Sequence, residues 1–343
     1  MPGRGLNLLS LDGGGIRGLS SLQVLKNILE RIGREQGLQD PPKPCDFFDM
    51  IGGTSTGGLI AIMLGRMRMT VDECIEAYVH LSDRVFRQTH SLPFSFSGKV
   101  RGKFDSKALE EAVKEYLSKY SLSEDCLLQD IDQTSCKVFV CATSGSTRKT
   151  VVLSSYSTPR TNSDRLKYTT VWQAARATSA ASSFFDPIDV QLGSYKESYT
   201  DGATGANNPI FTLWQEAKEA FLGPEEVLED NIDCVISIGT GVPGIEPFGS
   251  SLKAIAKSIV AISTETEETA KVFRRTHENL VKSERYFRFN VTHGLEVIGL
   301  ERTDRKDDIV NITNLYLEED STDELMKRCV NTLKQHEGAS QFC

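Results

Sequence analysis

Short apolar runs alternate along the chain with longer stretches in which apolar residues return every three or four positions. The runs fit strands, and the stretches fit helices with one buried face. Leu6 to Leu11 reads as the first strand. Ser20 to Ile32 reads as a helix, with Leu22, Leu25, Ile28, Leu29 and Ile32 on one face. Phe47 to Ile51 is a second strand that runs directly into "GGTSTGGLIAIML". Ser106 to Tyr116 is a helix with Ser106 as its expected cap. "CKVFVCAT" (136–143) and "TVVLSSY" (150–156) read as neighbouring strands, and "TVWQAARATSAAS" (170–182) as a small-residue helix. "DCVISIGTG" (233–241) is a further buried strand ending in a glycine turn. Beyond it, Leu252 to Val281 is mostly helical, "YFRFNV" (286–291) is a strand and Asp323 to His336 is a closing helix. Such alternation predicts an α/β protein built on a mostly parallel central sheet. No repeat or low-complexity tract breaks it, so one domain with a helical C-terminal portion is expected.

Composition narrows the function classes. A chain of 343 residues can bury a substantial core. With 39 Lys+Arg against 47 Asp+Glu the formal charge is −8, which argues against broad binding of nucleic-acid phosphates. No apolar stretch approaches the roughly 18 residues of a membrane span, and "MPGRGLNLLSLD" lacks the core of a signal peptide. A soluble, cytoplasmic protein is expected. The eight cysteines are scattered without CxxC spacing, so buried free thiols are expected rather than a zinc site.

The turn after the first strand carries Gly13, Gly15 and Gly18 in GxGxxG spacing. A dinucleotide site also needs an acid about 20 residues on, at the end of a second strand. Asp40 and Glu35 are the candidates, and neither ends a strand. A phosphate-binding P-loop needs a lysine that does not follow these glycines. The second motif points elsewhere. "GTSTG", residues 53 to 57, fits the GxSxG elbow, in which a strained strand-to-helix turn presents a serine hydroxyl. Ser55 would then sit at a helix N-terminus, where free amides favour developing negative charge. His277, His293 and His336 follow in the order common among hydrolases, but none of the five histidines has a neighbourhood that marks it as catalytic. Asp201 is better marked: in "YTDGATGANNP" it ends an apolar segment and is followed by glycine and small residues.

Taken together, "DGGGIRG" (12–18), "GTSTG" (53–57), "ATSAAS" (177–182), "DGATGANNP" (201–209) and "SIGTG" (237–241) resemble the patatin-like phospholipase family, and its fungal-type members in particular. The likeness runs from about residue 5 to residue 245. It implies a three-layer α/β/α patatin-like fold, with residues 5–245 as catalytic core and 246–343 as a helical extension packed on the same domain. It also implies a phospholipase A-type lipid acyl hydrolase with a Ser-Asp dyad and no histidine. Carried over, Ser55 is the nucleophile and Asp201 the base. The backbone around Gly13, Gly14 and Gly15 becomes the oxyanion hole, and Arg17 beside it adds positive potential or forms a structural salt bridge. Neither metal nor cofactor is required. Ser182 stands where the family often has proline.

The implied partner is a phospholipid or other acyl lipid. From Arg84 to Lys103 there is no Asp or Glu, and five basic residues surround Phe94 and Phe96. That mixture suits peripheral contact with an anionic membrane, the alternative being an ordinary surface loop. Two other functions stay open at this point: an acyltransferase or thioesterase, and a lipid-sensing signalling module of a larger fungal protein.

Overall fold

Among the described residues eight strands form one sheet: β1 (Leu6–Leu11), β2 (Met50–Thr54), β3 (Lys137–Ser144), β4 (Thr150–Ser154), β5 (Ile188–Leu192), β6 (Tyr195–Asp201), β7 (Ile232–Ile238) and β8 (Tyr286–Phe289). The computed structural model describes residues 5–86, 104–132, 135–181, 184–242 and 253–334. Strand order is β5-β6-β3-β2-β1-β7-β8, with β4 also on β3. The pairs β3-β2, β2-β1, β1-β7 and β7-β8 are parallel, whereas β4 and the β5-β6 hairpin are antiparallel.

The central strands are buried on both faces, every residue of β2 and β7 included. Hence they read as continuous apolar runs rather than alternating ones. Successive side chains nevertheless go to opposite layers. Leu9, Leu11, Ile51 and Val138 join the core beneath the Gly18–Gln36 helix, while Leu8, Met50 and Phe139 pack with Ile210 and Leu213 of the Ile210–Phe221 helix. The result is the expected three-layer α/β/α arrangement, with helices also predominant after residue 253.

Several elements differ from the sequence expectation. The Ser106–Lys119 helix is capped by Asp105, whose carboxylate accepts from the amides of Lys107 at 2.8 Å and Ala108 at 3.3 Å. Ser106 instead accepts from the Asp186 amide at 3.2 Å. The Val71–Val85 helix is not among the expected elements, although it opens with a capping box, Thr70 and Glu73. The β5-β6 hairpin is likewise absent from the sequence expectation. β5 alternates buried and exposed residues along "IDVQL", a period of two that marks a half-exposed strand. Seven cysteines among the described residues are free thiols, all buried but the half-buried Cys126. Among the same residues, no helix is long and apolar enough to cross a membrane.

Candidate active site

Two strands deliver the serine and the aspartate to neighbouring positions on β3. Thr54, the last residue of β2, lies opposite Cys141. Asp201, the last residue of β6, lies opposite Ala142. The residue after Thr54 therefore meets the end of β6, and the Ser55 hydroxyl donates to Asp201 Oδ2 at 2.7 Å.

The elbow is built as its glycines require. Ser55 has φ 53 and ψ −124, a strained conformation for a residue with a side chain. A Cβ on Gly53 would lie 2.1 Å from the Gly57 carbonyl oxygen, and one on Gly57 would lie 2.2 Å from that of Leu11. Thr178 holds the turn from the side. Its hydroxyl accepts from the Ser55 amide at 2.9 Å and donates to the Cys141 carbonyl at 2.7 Å. Thr178 carries no role in the sequence pattern "ATSAAS", and only the fold brings it to the elbow.

Asp201 is 4% exposed. Its Oδ1 accepts from the Ala203 amide at 2.7 Å, its amide donates to the Ala180 carbonyl, and its carbonyl accepts from Thr143. Burial pushes its carboxyl up to about 6, against the hydrogen bonds from Ser55 and Ala203. A carboxylate raised this far is a far better proton acceptor near neutral pH than one in water. Among the described residues no histidine is hydrogen-bonded to the pair, and His277 packs against Trp214 and Phe273.

The glycine turn is anchored on every side except two. The Asp12 amide donates to the Ile238 carbonyl at 3.1 Å and the Ile16 amide to the Leu300 carbonyl at 2.8 Å. The Gly15 carbonyl accepts from Tyr78 and Thr56. The Gly13 amide, expected to face the site, instead donates to the Asn207 carbonyl at 3.1 Å, because the chain after Asp201 folds back over it. Among the described residues the amides of Gly14 and Gly15 meet no protein acceptor. Arg17 is 2% exposed and its Nε has no hydrogen-bond partner among the described residues. Burial lowers its pKa to about 10, opposed by the charge of Glu296, and no carboxylate among the described residues lies within ion-pair distance of it.

Ser55, Asp201, Arg17 and the glycine turn open onto one cavity with about 960 Å³ of empty space, its open mouth included. Leu59, Leu81, Val85, Phe86, Leu109 and Phe184 line much of the remainder, with Tyr78 and Ser82 among them, so a polar head of the site meets a largely apolar channel. Of the stretch expected to touch a membrane, Arg84 pairs with Glu111 and Glu115 at 2.9 and 2.8 Å. Residues 87–103, with Phe94 and Phe96, lie outside the described residues, as does Ser182.

A model described as patatin-like phospholipase matches residues 9–214. The chain is 31% identical over 356 residues to calcium-independent phospholipase A2-gamma of Mus musculus, an alignment covering 99% of this chain and 42% of that protein. It is 30% identical over 358 residues to phospholipase A I of Arabidopsis thaliana, covering 89% and 26% respectively. The chain thus spans less than half the length of these curated relatives. The structure of VipD from Legionella pneumophila aligns with 97% of this chain and 67% of that one, at a TM-score of 0.40 and 14% identity.

Proposed function

The chain belongs to the patatin-like phospholipase family, and from that premise we propose that it is a phospholipase A-type acyl hydrolase working through Ser55 and Asp201. Asp201 Oδ2 takes the Ser55 proton as Oγ attacks the ester carbonyl carbon. The carbonyl oxygen, now negative, accepts from the Gly14 and Gly15 amides, with Gly13 anchoring the turn. Donors already aimed at such an oxygen need not reorganise as charge develops, and each contributes about 3 kcal/mol. Collapse breaks the bond to the leaving alkoxide, which takes the proton back from Asp201 and departs as a lysophospholipid. Water, deprotonated by Asp201, then attacks the acyl-enzyme and releases the fatty acid. No step draws on a cofactor. Buried Arg17 adds positive potential to the turn.

The observation that carries this reading is the 2.7 Å contact between Ser55 Oγ and a buried Asp201 at the head of an apolar cavity. A hydroxyl paired with a carboxylate serves nucleophilic attack, and the apolar channel suits a fatty-acyl chain. The same reading takes residues 5–245 as the catalytic core with the remainder packed on it, supported by the pairing of β8 with β7. Membrane contact through residues 84–103 belongs to the proposal too. With Arg84 already paired, that role falls to residues after it.

The test is mass spectrometry of fatty acid and lysolipid released from mixed phospholipid vesicles, with Ser55→Ala as control. Release by the native chain alone supports the reading. Equal release by both proteins refutes the serine mechanism.

A further inference from the structure

Behind the glycine turn lies a buried charge cluster that no step above uses. Asp12, the residue before Gly13, has a fully buried side chain, and its Oδ2 accepts from Arg288 Nη2 at 2.6 Å. The same Nη2 lies 2.8 Å from Glu267 Oε1, while Nη1 donates to Ser237 Oγ at 2.9 Å. Asn290 closes the cluster, donating to Glu267 at 2.7 Å and accepting from the Gly241 amide at 2.7 Å. One guanidinium, 8% exposed, thus ties the end of β1 to β7 and to the Lys253–Thr276 helix.

Stability alone is a poor reason for such a cluster. Removing two charges from water is expensive, and a buried ion pair offsets that only when its remaining polar atoms are satisfied. Here Asp12 Oδ1 and Arg288 Nε have no partner among the described residues. Burial raises the Asp12 carboxyl to about 6 despite the cation beside it. What a cluster of this kind does supply is rigid, directional geometry, and it supplies it next to the amides whose aim matters most.

We propose that Arg288, aligned by Glu267, is a positioning residue that holds Asp12 and thereby aims the Gly14 and Gly15 amides into the site. The proposal rests on the ester-cleavage reading above for its catalytic consequence, though not for its mechanical one. Both residues lie beyond the stretch 9–214 matched by the family model, so the C-terminal part of the chain becomes part of the site's support. Glu267 is the weaker member, because its side chain is 29% exposed and Arg288 keeps Asp12 without it.

The experiment compares the native chain with Arg288→Met, Arg288→Lys and Glu267→Gln in two assays. The first is kcat and KM for fatty-acid release from phosphatidylcholine vesicles. Arg288→Met should lower kcat about 100-fold or more with KM within about threefold, since misaimed donors lose transition-state rather than substrate binding. Arg288→Lys should recover part of that loss, because an ammonium reaches fewer of the three acceptors. Glu267→Gln should cost only a fewfold. The second assay is hydrogen–deuterium exchange across residues 8–19, where the hydrogen-bonded amides of Asp12, Gly13 and Ile16 should exchange about tenfold faster in Arg288→Met. Peptides from β2 and β3 should be unchanged.

A folded Arg288→Met with native kcat and native exchange overturns the proposal. If Arg288→Met does not fold, unchanged kcat and exchange in both Arg288→Lys and Glu267→Gln overturn it. If even the native chain releases no fatty acid, the function reading fails, and exchange still decides whether Arg288 holds the turn.

Discussion

Replacing Asp201 by asparagine should make the fold more stable at neutral pH while abolishing ester cleavage. The carboxyl is raised from 3.8 to about 6 by burial. At about 1.4 kcal/mol per unit, holding it ionised inside the fold costs about 3 kcal/mol. Asparagine removes that charge and keeps both contacts. Its Oδ1 still accepts from Ala203, at 2.7 Å in the native chain, and its Nδ2 donates to the Ser55 hydroxyl, likewise at 2.7 Å. The sign follows from proton binding. Between the two pKa values the folded chain holds a proton that the unfolded chain has lost, so native stability falls as pH rises from 3.8 to about 6. The stability difference between variant and native chain should therefore grow across that window by about 3 kcal/mol and stay level above it. Urea unfolding of both proteins at pH 4, 5 and 7.5 measures it. A difference that does not change with pH, or a native chain gaining stability over the variant at pH 7.5, would show that Asp201 is not held as a strained carboxylate. Turnover of the variant should meanwhile drop by at least about a thousandfold.

Other expectations follow from the same geometry. On a soluble ester, kcat/KM should fall about tenfold per pH unit below about 6 and be flat above it; a plateau reaching down to pH 4 contradicts the assignment of Asp201 as base. Thr178→Val strips partners from the Ser55 amide and the Cys141 carbonyl and should cost about 2–4 kcal/mol in chemical denaturation. A loss below about 0.5 kcal/mol would mean the hydroxyl does not brace the elbow. Gly57→Ala places a Cβ 2.2 Å from the Leu11 carbonyl oxygen, so little soluble, folded protein should be recovered, and a native-like melting curve would refute the close packing. Arg84→Ala removes two ion pairs whose partners are 64% and 60% exposed, and a thermal melt should register less than about 1 kcal/mol.

Legibility in the sequence followed the range of the forces involved. β1, β2, β3 and β7 are readable because strands buried on both faces are mostly apolar along their length. The β5-β6 hairpin is not, since "YKESYTD" mixes polar and aromatic residues in a partly exposed strand beside the β5 edge and its pairing to β3 is a matter of contact rather than pattern. The cap on the Ser106–Lys119 helix went to Asp105 rather than Ser106 because a carboxylate one residue earlier reaches two amides.

The sequence by itself determined the local devices: glycines at 53 and 57 where no side chain fits, a serine between them, and a glycine turn closing the first strand. These are set within a few residues, where backbone sterics act. The motif at 201–203 singled out Asp201 among the 47 acidic residues, but only the tertiary structure decided how it meets Ser55. The partner is 146 positions away, chosen because β2 ends opposite Cys141 and β6 opposite Ala142. Only it decided that the Gly13 amide is occupied while those of Gly14 and Gly15 are open, and that Arg288 lies 276 positions beyond the aspartate it holds. Strand register and burial set these outcomes, and both arise from packing the whole chain, which no periodicity along it encodes.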